Sequence, residues 1–266
     1  MMSYLGKVGA SKSLLNRALI IQSYFPQLFL QGDSNCEDVL HMSAGLAALK
    51  AGNPVQCGEG GTVLRFLALR ASRIPGEHRL QGSQRLMSRP QEELLKILLQ
   101  LGVDAKLTAT ELILSSKGWK PQGDTLHVPS QRSSQFVSAV LLNAWGLDFD
   151  LYVSPVGAGI SEGYWRMTHK MVGELGMKID RWDNDFRVPA KQVVSRLEFQ
   201  IEPDMSSAFS LAAAAAVGGD LTLVDFPPTS VQPDFAFVDI LQKMGVPLTV
   251  YKDHLRVEKA ARLHGV

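Results

Sequence analysis

Apolar positions recur along this chain at two spacings. Val39, Leu40, Leu46 and Leu49 fall at helical intervals behind Ser34-Asn35-Cys36-Glu37, which reads as a capping box, and Gly52 is a natural stop. Leu94, Leu95, Ile97, Leu98 and Leu101 form a second helical stripe, with Pro90 at its start and Gly102 at its end. Shorter apolar runs predict strands at Leu126–Val128, Leu151–Val153, Phe199–Ile201 and Leu221–Val224. Helix and strand patterns alternate throughout, which predicts an α/β or α+β protein.

The pattern also repeats. Leu101-Gly102-Val103 returns as Leu175-Gly176-Met177 and as Met244-Gly245-Val246, with the glycines 74 and 69 residues apart. Each triplet closes a helical pattern, and ten residues after each glycine stands an apolar strand residue: Leu112, Phe186 and Leu255. Upstream, Gly61-Thr62, Ser133-Ser134 and Ser206-Ser207 open similar helices 72 and 73 residues apart. The expected unit is strand, helix, strand, helix, hairpin, about 72 residues long and seen three times.

Composition narrows the class. Of 266 residues, 45% are hydrophobic and 20% charged, enough apolar material for a packed core. The net charge of +1 argues against wholesale binding to nucleic acid or an anionic membrane, while leaving room for a local basic pocket. Cys36 and Cys57 have neither CxxC nor metal-ligand spacing, which points to a reducing compartment. The longest uncharged apolar stretch, Met205 to Gly219, is Ala-rich and short of the ~20 residues of a membrane span. The first residues show no apolar signal-peptide core, so the expectation is a soluble cytoplasmic protein.

The candidate chemistry sits at predicted helix starts. Ser11-Lys12-Ser13, followed by Arg17, converges cations and hydroxyls on an N-terminus suited to phosphate or carboxylate, without Walker A spacing. Cys57-Gly58-Glu59-Gly60-Gly61-Thr62-Val63-Leu64-Arg65 lets backbone approach a ligand at a helix start, with Thr62 as a candidate N-cap. Arg85 and Arg89 precede Pro90, and Arg89 can offer a bidentate fork to an anion. Ser130-Gln131-Arg132-Ser133-Ser134-Gln135 carries more hydroxyls than capping requires, and Gln135 adds an amide that both donates and accepts. Ser161-Glu162-Gly163-Tyr164 has the same character, and nearby His169 reads as a packing residue on a helix face. Repeated units would aim these ends into one anion-binding space.

In order, ASKSLLNRAL, GGTVLR, LMSRP, SSQF, SEGY and PDMSSAFSLAAAAA resemble the 5-enolpyruvylshikimate-3-phosphate synthase family, the 3-phosphoshikimate 1-carboxyvinyltransferases. The likeness runs from about residue 10 to 245, and SKSxxNRA and SSQF are its most diagnostic parts. It implies an enolpyruvyl transferase fold of βαβαββ repeats, with about three-plus of six copies present here. It implies residues 9–192 as a shikimate-3-phosphate-binding domain and 193–266, with 1–8, as part of a second. It implies enolpyruvyl transfer from phosphoenolpyruvate to the 5-hydroxyl of shikimate 3-phosphate, on the route to chorismate and aromatic amino acids, with no metal or organic cofactor. By position, Lys12, Ser13 and Arg17 are implied as shikimate-3-phosphate contacts, with Lys12 also at phosphoenolpyruvate. Gly61 and Arg89 are implied as a phosphoenolpyruvate clamp. Ser133, Ser134, Gln135 and Ser161 are implied as further shikimate-3-phosphate contacts, Gln135 being near both substrates and Tyr164 near the ring.

The chain departs from that pattern in places. The family's acid-base residues and further phosphoenolpyruvate cations are expected in C-terminal repeats, and nothing between Asp225 and Val266 resembles them. Asp204 matches a different family position from the catalytic base. Glu59 replaces the usual asparagine, Ala10 replaces a glycine, and little room is left for a leading strand before Lys12. The alternatives are a catalytically incomplete protein binding shikimate 3-phosphate or a similar sugar phosphate, and a sister enzyme acting on a UDP-amino sugar, disfavoured by SKSxxNRA and SSQF. Apolar helix faces around Leu211–Val217 and Phe235–Leu241 are expected to be exposed and to promote self-association.

Overall fold

The computed structural model describes residues 2–157 and 162–266. In chain order its elements are β1 (Met2–Gly6), α1 (Lys12–Gln22), β2 (Phe29–Gln31), α2 (Glu37–Ala51), β3 (Val55–Gln56) and α3 (Gly61–Ser72). There follow β4 (Gly76–Gln81), α4 (Gln84–Met87), α5 (Glu92–Gln100), β5 (Asp104–Leu107), β6 (Glu111–Ser116), β7 (Leu126–Pro129) and α6 (Gln135–Leu142). Then come β8 (Leu151–Val156), α7 (Glu162–Glu174), β9 (Asp180–Trp182), β10 (Asp185–Val188), β11 (Glu198–Gln200) and α8 (Met205–Gly218). The last are β12 (Gly219–Val224), α9 (Phe237–Lys243), β13 (Leu248–Val250) and β14 (His254–Val257). The mixed α/β expectation holds.

Two compact units form. The larger comprises Asn16–Leu30 and Asn35–Phe199; the smaller comprises the residues up to Leu15, Gln31–Ser34 and Gln200–Val266.

The larger unit holds two sheets of one plan, ordered β3-β4-β6-β5 and β7-β8-β10-β9. In each, two strands run parallel, with a helix crossing between them, and an antiparallel hairpin completes the sheet. Val55 faces Leu80 and Leu80 faces Leu112 in the first; Leu126 faces Val153 and Val153 faces Phe186 in the second. The crossing helices are α3 and α6. Val63, Leu64, Phe66, Leu67 and Ala68 of α3 are fully buried, as are Ala139, Val140, Leu141 and Leu142 of α6. A helix apolar on all sides belongs inside a core. In α5 the stripe Leu94, Ile97 and Leu98 is buried and Leu99 is exposed, as its period demands. Gly102 and Gly176 follow helix ends with φ of +73° and +105°. A Cβ on Gly102 would also approach the Lys120 carbonyl to 2.6 Å, so glycine is required twice over.

The smaller unit repeats the plan with a different source for its first strand. Its sheet is ordered β1-β12-β14-β13, and β1 lies parallel to β12 with Tyr4 facing Leu221. The sequence reading left little room for such a strand. Met2–Gly6 is too short to show a period, and its partner lies more than two hundred residues away. Leu223 faces Leu255 in the hairpin half. Leu112, Phe186 and Leu255 therefore hold equivalent places, and all three are fully buried.

Several local expectations shift. Helix α2 starts at Glu37 behind Cys36, with no side-chain cap bond, so Ser34 is not its N-cap; Gly52 does end it in the left-handed conformation, φ +73°. Helix α5 starts at Glu92 behind Gln91 rather than at Pro90, because a separate turn of helix, α4, capped by Ser83, occupies the preceding residues. Exposure of the apolar faces is also less than expected. Phe237, Val238 and Leu241 form the core of the smaller unit with Phe226 and the Ala-rich face of α8. Phe209, Val217 and Ile240 are the exposed large apolar residues of these helices.

Candidate functional site

The larger unit gathers its buried cations around the starts of α3 and α6. The turn before α3 is shaped by close approach. A Cβ on Gly58, whose φ is +57°, would come within 2.6 Å of His41 Nε2, and one on Gly60 within 2.8 Å of Asp38 Oδ1. A Cβ on Gly61 would stand 3.0 Å from Arg89 Nη1, so the Arg89 guanidinium lies directly over the start of the helix. Gly60, not Thr62, is the N-cap, and no side chain caps this end. The helix dipole and first-turn amides are thus available to an anion beside Arg89. Glu59, Arg85, Leu86 and Arg89 line an adjoining pocket of about 380 Å³. Glu59 turns its carboxylate to Arg85 at 3.4 Å, both side chains being largely in solvent, rather than toward Arg89.

Arg65 stands four residues after Gly61, one turn along the same helix. It is 7% exposed, stacks over Phe136 at 4.7 Å and donates from Nη1 to Gln135 Oε1 at 2.7 Å. Its Nε has no hydrogen-bond partner among the described residues. Burial, and secondarily Arg89 nearby, lower its pKa to about 10, against the opposing pull of Glu93. Gln135 completes the junction by donating from Nε2 to Thr62 Oγ1 at 2.9 Å. Its backbone N–H donates to Ser133 Oγ at 3.2 Å, while Ser134 occupies the N-cap of α6 without a side-chain cap bond.

Arg17 is 2% exposed. Its Nε donates to Thr168 Oγ1 at 2.7 Å, and its guanidinium lies 5.3 Å from the Phe66 ring centre. Burial lowers its pKa to about 10, opposed by Tyr164. Both arginines remain cations at neutral pH. Thr168 in turn lies within 3.0 Å of the Tyr164 carbonyl and 2.9 Å of Ser138 Oγ. His169 is edge-on to Trp165 at 5.3 Å, as expected of a packing residue, and burial followed by Arg181 lowers its pKa.

The predicted residues are thus placed unequally. Arg17, Gly61, Arg89, Ser133, Ser134, Gln135 and Tyr164 all belong to the larger unit, around the starts of α3 and α6 and their contacts with α1 and α7. Lys12 and Ser13 open α1 within the smaller unit, where the Lys12 N–H donates to Asp204 Oδ2 at 3.3 Å. Ser161 lies outside the described residues. Sequence reasoning did not single out Arg65, Thr62 as a partner of Gln135, or Thr168. The available signal for Arg65 was its i+4 spacing from Gly61, which puts both on one face. Among the described residues no group of three or more His, Cys, Asp and Glu side chains converges as a metal site would need, and no helix is long and apolar enough to cross a membrane.

Parallel strand pairs crossed by helices, each completed by a hairpin, with Arg65 and Arg89 at a helix start that no side chain caps, define an α/β protein of repeated sheet units. Comparison with known proteins names the family. The model of EPSP synthase, 3-phosphoshikimate 1-carboxyvinyltransferase, matches residues 30–266. The chain is 31% identical over 219 residues to the 3-phosphoshikimate 1-carboxyvinyltransferase of Methanocaldococcus jannaschii, covering 80% of this chain and 51% of that protein. It is 26% identical to the enzyme of that name from Trichormus variabilis, covering 98% and 68%. A solved EPSP synthase from Acinetobacter baumannii shares the fold with a TM-score of 0.75 at 19% identity, covering 100% of this chain and 67% of the other. The chain belongs to the EPSP synthase family, and it spans from about half to two thirds of the length of these relatives.

Proposed function

We propose that this chain binds shikimate 3-phosphate in its larger unit and serves transfer of the enolpyruvyl group of phosphoenolpyruvate to the 5-hydroxyl of that sugar acid, a step in aromatic amino acid biosynthesis. The observation that carries this reading is a pair of buried arginines: Arg65, one turn into a helix whose Gly60 N-cap carries no side chain, and Arg17, set against Thr168 and Phe66. Removing cations from water is costly, and an anionic ligand beside them would offset part of that cost. In the reaction the 5-oxygen bonds to C2 of phosphoenolpyruvate and gives up its proton while C3 gains one; elimination then removes a proton from C3, re-forms the C2–C3 double bond and breaks the bond from C2 to the phosphate oxygen, which leaves as phosphate. Positioned cations stabilise the negative charge that builds on the departing phosphate.

In this reading Arg17, Ser133, Ser134, Gln135 and Tyr164 face shikimate 3-phosphate, and Gly61 with Arg89 faces phosphoenolpyruvate. Lys12, Ser13 and Ser161 carry their assignments from the resemblance alone. Cys36 and Cys57 stand as thiols rather than in a disulfide, which supports a cytoplasmic setting.

A second reading has its own support. Arg17 and Arg65 stay charged well past neutrality, so they bind but do not exchange protons in turnover. These two arginines therefore supply binding alone, which a protein that holds shikimate 3-phosphate without converting it also needs. Titration calorimetry with shikimate 3-phosphate, paired with an assay of phosphate release after phosphoenolpyruvate is added, separates the two. Binding with release supports the transferase, and binding alone supports the holding protein. A folded chain that binds no shikimate 3-phosphate refutes both.

A further inference from the structure

Gln135 is held at both ends of its carboxamide. Arg65 has only donors, so the amide oxygen must face it; Nε2 is then turned to Thr62, whose hydroxyl oxygen accepts. The three side chains come from two helices, α3 and α6, and Thr62 and Gln135 lie 73 residues apart in sequence. Thr62 sits next to Gly61, the residue under Arg89, so the chain of bonds ends where the anion is expected. It runs in one direction, from a buried cation through an amide to a hydroxyl. Each bond polarises the next, and the amide keeps one N–H and one lone pair for a ligand.

We infer that Thr62 and Arg65 are positioning residues: together they lock the Gln135 carboxamide in the single orientation that presents its remaining N–H to the substrate. This inference rests on the reading that the larger unit seats shikimate 3-phosphate. Without the Thr62 acceptor, Nε2 loses its anchor and the amide rotates about its last bond, so a ligand must then pay to reorient it.

Two variants test this with the full 266-residue chain. Thr62→Val keeps the shape and removes the hydroxyl; Thr62→Ser restores it. The first measurement needs no ligand: the side-chain amide signals of Gln135 in a nitrogen–proton correlation spectrum, assigned by their loss in Gln135→Ala. They are expected apart from those of free glutamines in the parent, to move toward free values in Thr62→Val and to return in Thr62→Ser. The second is calorimetry with shikimate 3-phosphate. Affinity is expected to fall about tenfold in Thr62→Val, the size of one hydrogen bond, and to stay within about twofold in Thr62→Ser.

Amide signals unmoved by Thr62→Val overturn the inference. So does a shift with unchanged affinity, or a failure of Thr62→Ser to restore either readout. If the parent binds no shikimate 3-phosphate, the functional reading falls instead, and the amide signals alone decide whether Gln135 is locked.

Discussion

Helices α3 and α8 hold the same place in their sheets, each leading into the second strand of a parallel pair, yet their starts are finished in opposite ways. In the smaller unit Asp204 closes α8. Its Oδ1 accepts from the Ser207 N–H at 2.8 Å, and its Oδ2 accepts from the Lys12 N–H at the start of α1. Behind it Glu202 binds Gln232 at 3.0 Å and also accepts from Ser230, and Gln232 accepts from the Met205 N–H. In the larger unit Gly60 stands at the equivalent start, no side chain caps it, and Arg65 and Arg89 gather where the smaller unit has carboxylates. One frame therefore carries two uses. A carboxylate cap satisfies the end amides and fixes the fold, whereas a glycine cap flanked by arginines leaves those amides without a side-chain acceptor. Asp204, singled out in the sequence and set aside as a catalytic base, is a structural residue by this geometry.

The contrast can be broken most forcefully at Arg17. Arg17→Met removes the charge and keeps apolar contact with Phe66. Shikimate 3-phosphate affinity is expected to drop by about 2–5 kcal/mol, more than tenfold, in calorimetry. Thermal stability should hold or rise, because a buried cation is exchanged for a hydrophobe. A loss of stability with intact binding would make Arg17 structural and end the distinction between the units.

Gly61→Ala sharpens it at the helix start. The added Cβ meets Arg89 Nη1 at 3.0 Å and displaces the guanidinium, with no backbone strain since Gly61 is helical. Phosphoenolpyruvate binding in the presence of shikimate 3-phosphate should weaken about tenfold, the worth of one charge-assisted bond, with shikimate 3-phosphate binding nearly unchanged.

Asp204→Ala is the reciprocal variant. Denaturant unfolding should show a loss of about 1–2 kcal/mol, the value of an N-cap, with no change in shikimate 3-phosphate affinity. Weakened ligand binding at full stability would contradict the assignment of α8 as a closed end.

The smallest expected effect concerns pH. Arg17 and Arg65 have pKa values lowered to about 10 by burial, so anion binding should be level from pH 7 to 9 and decline as pH rises through about 10. Because the folded value lies below the unfolded one, these groups oppose folding while charged, and that opposition is relieved above pH 10. Affinity already falling between pH 7 and 8 would point to a different titrating group.

Much of this arrangement is legible from residue order, for local reasons. The three glycines of the repeat terminate helices because only glycine enters the left-handed region cheaply, and Gly102, Gly176 and Gly245 all have φ between +73° and +105°. Leu112, Phe186 and Leu255 mark the buried hairpin strand because apolar residues in a half-covered sheet have one side on which to lie. Other features rest on distance. The strand β1 has too few residues for a period and is a strand only because β12 accepts it. The start of α5 moved past Pro90 because Ser83 caps α4 just before it. Arg65 looks like one more arginine on an apolar helix until Phe136 and Gln135 are brought over it from α6.

The sequence by itself therefore determined the class of element at most positions, the repeat that orders them, and the residue types that favour anions at helix starts. These depend on backbone preference and periodicity, which act over a few neighbours. Tertiary structure alone decided which helix starts stay open, which arginines lose water, and that Asp204 supports the fold while Gln135 bridges Arg65 and Thr62. Burial and hydrogen-bond partnership are set by residues 70 to 200 positions away, and no local pattern encodes what a side chain will meet across that distance.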